Sequence, residues 1–115
     1  MSKPVGPYSP VARAGGWLVV SGQVGVSDGT LVTGGMQKEL RQALANLRSL
    51  LEGEGSSLND VVKTTVYLRH IDDYAAMNEI YVEAFGEHRP ARAAVAVAGL
   101  PLGALVEVEA WAFTG

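Results

Sequence analysis

Arg92 follows Pro90-Ala91 at the head of a run of small residues, and Glu107 and Glu109 stand two apart in a later run of alternating valines. A guanidinium offers a planar two-point clamp for a carboxylate, and a carboxyl group can relay protons to or from water or an amine. Held on rigid strands beside Trp111 and Phe113, these groups describe a small pocket for a carboxylated substrate. Period-2 alternation puts Arg92, Ala94, Ala96 and Ala98 opposite Ala93, Val95 and Val97. It likewise puts Val106, Val108, Ala110 and Ala112 opposite Leu105, Glu107, Glu109, Trp111 and Phe113. With the valine faces taken as core, Arg92 is expected to share the non-core face with Glu107, Ser21, Lys63, Trp17 and Tyr67. Alternation does not rank Glu107 against Glu109. A structural ion pair between Arg92 and one of the two is the competing reading.

Asn78 falls on the apolar side of a helical pattern, where an amide needs a partner. Prolines on both sides present Tyr8 in Gly6-Pro7-Tyr8-Ser9-Pro10. His70 and His88 sit beside loops without a second ligand at metal-binding spacing, so both read as surface histidines and no metal site is expected. The chain has no cysteine, which excludes a thiol nucleophile and disulfides. Gly34-Gly35 lacks the spacing of a phosphate loop, so no nucleotide cofactor is expected.

The elements that must carry these residues are legible in outline. Gly16 to Gly22 reads as a strand that delivers Ser21 at its end, Ser27-Asp28-Gly29-Thr30 as a turn, and Thr30 to Val32 as a short strand. Met36, Leu40, Ala43, Leu44, Leu47, Leu50 and Leu51 recur at helical spacing, with Gly53 as the expected C-terminal stop. Asp60 to Arg69 is rich in β-branched residues; its alternation groups Val62, Thr64, Val66 and Leu68 against Val61, Lys63, Thr65, Tyr67 and Arg69. Asp72 is placed as the N-cap of a second helix that runs to Phe85 and is closed by Gly86.

A chain of 115 residues makes one domain, here 1–115, able to bury roughly two-thirds of its extended surface. A formal charge of -3 with scattered basic residues disfavours nucleic acid. Met1 to Pro7 contains no leader-type apolar run, and no segment approaches the ~20 apolar residues of a membrane helix, so a cytoplasmic location is expected. Two helices can cover one face of a sheet of about five or six strands. The remaining face carries Trp17, Tyr67, Trp111 and Phe113 and calls for a homo-oligomer.

Gly6-Pro7-Tyr8-Ser9, Val20-Ser21-Gly22-Gln23, Val61 to Val66, Asn78 to Tyr81, Pro90-Ala91-Arg92 and Leu100-Pro101 followed by Val106-Glu107-Val108-Glu109 together resemble the RidA (YjgF) family across the whole chain. The resemblance implies a chorismate-mutase-like α+β fold, a mixed sheet with two helices on one face. It also implies a homotrimer with sites at its subunit interfaces, and hydrolysis of reactive enamines and imines, such as 2-aminoacrylate and 2-iminopropionate, to a 2-oxo acid and ammonia without cofactor or metal. Arg92 would hold the substrate carboxylate and Glu107 would activate water. Tyr8 and Ser21 would line the pocket and Asn78 would support it. Ala94 stands at the pocket position where many members have cysteine, and the loop Gly86 to Arg89 is short, which implies an altered cap. The competing functions are a noncatalytic trimer that binds small carboxylates and an endoribonuclease acting on single-stranded RNA. The presence of Glu107 beside Arg92 favours catalysis over binding, and the acidic chain disfavours RNA.

Overall fold

The computed structural model describes residues 6–115; Met1 to Val5, part of the segment read above for a leader, lie outside the described residues. Strand β1 (Val11–Ala14) turns through Gly15, at φ 58°, into β2 (Trp17–Gln23). A small hairpin follows, β3 (Val26–Ser27) and β4 (Thr30–Leu31). Its two-residue turn has Asp28 at φ 53° and Gly29 at φ 80°, the mirror-image turn whose twist suits paired strands. Helix α1 (Met36–Gly53), strand β5 (Val61–Leu68), helix α2 (Tyr74–Phe85), strand β6 (Ala91–Ala96) and strand β7 (Val106–Phe113) complete the chain.

The main sheet has the order β1-β2-β7-β5-β6. All its pairings are antiparallel except β5 with β6, the parallel pair that α2 connects. Strand β6 is therefore a sheet edge. The expected apolar stripe of α1 is buried in full, from Met36 to Leu51. Together with Met77, Ile80, Tyr81 and Phe85 of α2 it covers a sheet face made of Leu18, Val20, Val66, Leu68, Val106, Val108, Ala110 and Ala112. The opposite face is bare: Trp17 packs edge-on against Trp111 and tilts over Phe113, yet Trp111 remains 47% exposed.

Several expectations change. Gly53 is the last residue of α1 and not its stop. The left-handed position belongs to Gly55 at φ 78°, and the Gly55 and Ser56 amides donate to the Glu52 and Leu51 carbonyls to cap the helix. Asp72 is not a cap, because Ile71–Asp73 forms a separate 3-10 turn before α2 and Asp73 precedes the helix without a side-chain cap bond. In β5 the register slips between Val61 and Lys63, so Val61 is 1% exposed in the core while Val62 is 45% exposed. One bulged residue reverses the phase that strict alternation assigned. His88 is more than a surface histidine: its Nε2 donates to the Val61 carbonyl at 2.7 Å, tying the loop after α2 to the start of β5.

Candidate active site

Arg92 lies on the helix side of the sheet, against expectation. Its register partner on β5 is Thr64, which is fully buried beneath α2, and its side chain runs up against that helix. Arg92 Nη2 donates to the Tyr74 hydroxyl at 2.9 Å, Nη1 lies 3.7 Å from Met77 Sδ, and Cζ sits 4.8 Å from the centre of the Tyr81 ring. Tyr81 is itself fixed by a 2.7 Å hydrogen bond with Thr64, and burial raises the pKa of its phenol. Alternation points to the valine face of β6 as core, but on this edge strand α2 packs over the alanine face. Ala94 contacts the core there, and Val95 is open to solvent. The competing reading, an ion pair of Arg92 with Glu107 or Glu109, does not hold. Among the described residues the ion pairs are Arg13–Glu54 and Arg41–Glu83, and every group on the Arg92 guanidinium is neutral.

Glu107 and Glu109 project from the bare face, as alternation required, because Val106, Val108 and Ala110, which alternate with them, are buried in the core. Their surroundings differ. Glu109 Oε2 accepts a 3.0 Å hydrogen bond from the Tyr67 hydroxyl, whereas the Glu107 carboxyl has no donor among the described residues. Burial, with the nearby Glu109 charge second, raises the Glu107 pKa above the ordinary carboxylate value. The carboxyl lies over Gly22: a Cβ there would come within 2.7 Å of it. The register irregularity between Val20 and Gln23 brings Ser21 and Gly22 to this position. Ser21 Oγ donates to the Ser9 carbonyl at 2.6 Å and its amide to the Pro10 carbonyl at 2.9 Å, so the segment carrying Tyr8 is held to the end of β2.

The predicted residues thus divide into two groups on opposite faces of one sheet. Arg92, Ala94 and Asn78 belong to the helix side; Glu107 and Ser21, with the tethered Tyr8 segment, belong to the other. Asn78 lies between Tyr74 and Tyr81 on their helix stripe, and its Oδ1 is buried with no donor among the described residues. Tyr74, Tyr81 and Thr64, which hold Arg92, and Gly22, which admits Glu107, were not singled out from the sequence. The sequence places Asn78 on the apolar side of its helix, but the link from that side to Arg92 requires knowing which face of β6 α2 covers. Among the described residues no three histidine or acidic side chains gather as metal ligands.

An α+β sheet with a two-helix cover, an edge-strand arginine and a partly buried glutamate on the bare face define the class of protein. The chain belongs to the family described as Endoribonuclease L-PSP, also called YjgF or RidA, whose model matches residues 1–114. It is 48% identical over 113 residues to a RutC family protein of Pyrococcus horikoshii, covering 96% of this chain and 90% of that one. It is 47% identical to the mouse 2-iminobutanoate/2-iminopropanoate deaminase, over 96% of this chain and 84% of the mouse protein. The crystal structure of RidA from a Psychrobacter species superposes with a TM-score of 0.93 at 38% identity, over 96% of this chain and 91% of that one. The expected fold class and family therefore hold.

Proposed function

We propose that this protein is a deaminase of small 2-imino and enamino acids, acting in the cytoplasm as a homotrimer whose sites lie between subunits. The observation that carries the reading is the state of Arg92: a partly buried guanidinium held by neutral groups keeps its full charge available for an anion. The naming of the mouse relative as an imine deaminase supports the substrate class.

In the proposed reaction Arg92 binds the substrate carboxylate and turns the C=N carbon toward the Glu107 carboxyl. An enamine first gains a proton at its terminal carbon and loses one from nitrogen, becoming the imine. Glu107 takes a proton from a water molecule as the water oxygen bonds to the imine carbon, and passes that proton to the imine nitrogen, giving a carbinolamine. Glu107 then takes the carbinolamine hydroxyl proton and delivers it to the amine nitrogen; the C–N bond breaks as the C=O bond forms, and ammonia and the 2-oxo acid depart. A positioned proton relay of this kind is worth about 10² to 10⁴ in rate. The raised pKa of Glu107 suits a group that must accept and return a proton. Ser21 and Tyr8 would wall the Glu107 side, and Ala94 and Asn78 the Arg92 side.

Because Arg92 and Glu107 face away from each other across their own sheet, a complete site calls for the β6 edge of one copy to meet the bare face of the next. The test is complementation. Arg92→Ala and Glu107→Gln are each expected to be inactive in a coupled assay in which a pyridoxal-phosphate dehydratase generates 2-aminoacrylate from serine and ammonia release is followed. In a ring with head-to-tail interfaces, co-expression at equal levels pairs a sound Arg92 with a sound Glu107 at about one site in four, so about a quarter of wild-type activity should return. No recovery in verified mixed oligomers would refute the shared site.

A further inference from the structure

We infer that Tyr74 is the positioning residue that aims Arg92, an inference that rests on reading Arg92 as the carboxylate clamp. An arginine side chain carries about 2 kcal/mol of rotamer entropy, so a clamp that points one way needs something to fix it. The alanines that flank Arg92 on β6 offer no wall, and its orientation comes entirely from α2. There the Tyr81 ring and Met77 supply a surface to lie on, and surfaces leave the guanidinium free to slide within its plane. The Tyr74 hydroxyl is the directional contact: it accepts from Nη2 at 2.9 Å, and its ring centre lies 5.5 Å from Cζ.

The position of Tyr74 fits this role better than a packing role. It opens the first turn of α2 and is 42% exposed, where burial gives little reason for a large ring. A carboxylate at this place would also orient Arg92 but would cancel the charge the substrate needs. A phenol oxygen orients it and leaves the charge whole. While accepting from Nη2, the same oxygen retains its own proton, which it can donate to the bound carboxylate beside the guanidinium.

Tyr74→Phe keeps the ring and removes the hydroxyl. The expected result is a KM raised about three- to tenfold, the size of one net hydrogen bond, with kcat within about twofold of wild type. The dissociation constant of pyruvate, measured by calorimetry on the wild-type oligomer and its variants, should rise by the same factor. In an Arg92→Lys background, which lacks the second planar donor, adding Tyr74→Phe should change pyruvate affinity by less than about twofold. Unchanged pyruvate affinity in Tyr74→Phe overturns the inference, and so does a full additional loss in the Arg92→Lys background, which would mean that Tyr74 acts independently of Arg92. The calorimetric readout separates this inference from the reading beneath it: Arg92→Ala that binds pyruvate like wild type refutes the clamp itself, whereas loss in Arg92→Ala with no loss in Tyr74→Phe refutes only the role of Tyr74.

Discussion

Arg92→Ala tests the reading at its centre, because the structure fixes both what the mutation should cost and what it should spare. The side chain makes one hydrogen bond to Tyr74, worth about 0.5 to 1.5 kcal/mol net, and cation–π contacts to two tyrosines at about 0.5 to 1 kcal/mol each in partly exposed settings. Its loss should therefore cost about 1.5 to 3.5 kcal/mol, since no carboxylate is stranded; a buried partner left charged would cost about 3 to 5 kcal/mol. The functional loss is separate. A charge-assisted clamp worth about 3 kcal/mol lowers kcat/KM by about 10²-fold or more when removed. Ligand protection gives an internal control that does not depend on the stability of the variant. Pyruvate at 100 times its dissociation constant should stabilise wild type by about 2.7 kcal/mol and Arg92→Ala not at all, each compared with its own unliganded melt. Turnover within about threefold of wild type, or undiminished protection by pyruvate, would refute the clamp.

Glu107→Gln should reduce kcat by about 10²-fold or more and Glu109→Gln far less, since Glu109 is already engaged by Tyr67; the opposite ranking in the coupled ammonia assay would reassign the proton relay. Glu107→Gln should also raise the melting temperature near neutral pH. Burial lifts the folded pKa, so the chain loses stability as pH rises through the ordinary glutamate value of about 4.3 toward the raised folded one; the gain from the substitution should fade as pH drops below about 4.3, where folded and unfolded chains are both protonated. Gly22→Ala places a Cβ within 2.7 Å of the Glu107 carboxyl and must displace it. Gly22 is not at positive φ, so turnover should fall while circular dichroism stays unchanged. Glu39→Ala removes the buried acceptor of the Leu105 amide, a 2.8 Å bond just before β7, and should cost about 1 to 3 kcal/mol in urea unfolding; Glu39→Gln should recover most of it.

The helix α1 and the two faces of β7 could be read from the sequence because their patterns are long and each has one buried side. The misreadings have separate causes. Val61 and Val62 exchange roles because of a bulge, a one-residue event that no period-2 count contains. Arg92 was placed on the wrong face because β6 has two nearly apolar sides, alanine and valine, and hydrophobicity alone favoured the valines. What decides the matter is the space α2 needs: its large Met77 and Tyr81 leave room for alanine and an arginine stem on the strand beneath, while Val95 faces outward. The choice between Glu107 and Glu109 came from the family resemblance. The physical difference between them, the Tyr67 hydrogen bond and the bare Gly22, depends on neighbours brought in from other strands.

The placement of Arg92 across the sheet from the glutamates has a consequence of its own. Strands β7 and β6 are separated only by β5, where Glu109 pairs with Thr65, next to the Thr64 that pairs with Arg92; on one face Arg92 and Glu109 would stand about 10 Å apart at the backbone, within the reach of two long side chains. They would close on each other as an ion pair and quench the proposed clamp. With the sheet between them, Arg92 keeps only neutral partners and Glu107 keeps a raised pKa. Each group is then preserved in its reactive form within the single chain, and the two can act together only where a second copy brings its bare face to the β6 edge. In the proposed assembly the substrate, with its carboxylate on Arg92 and its imine carbon toward Glu107, would occupy the gap that keeps the two side chains from meeting.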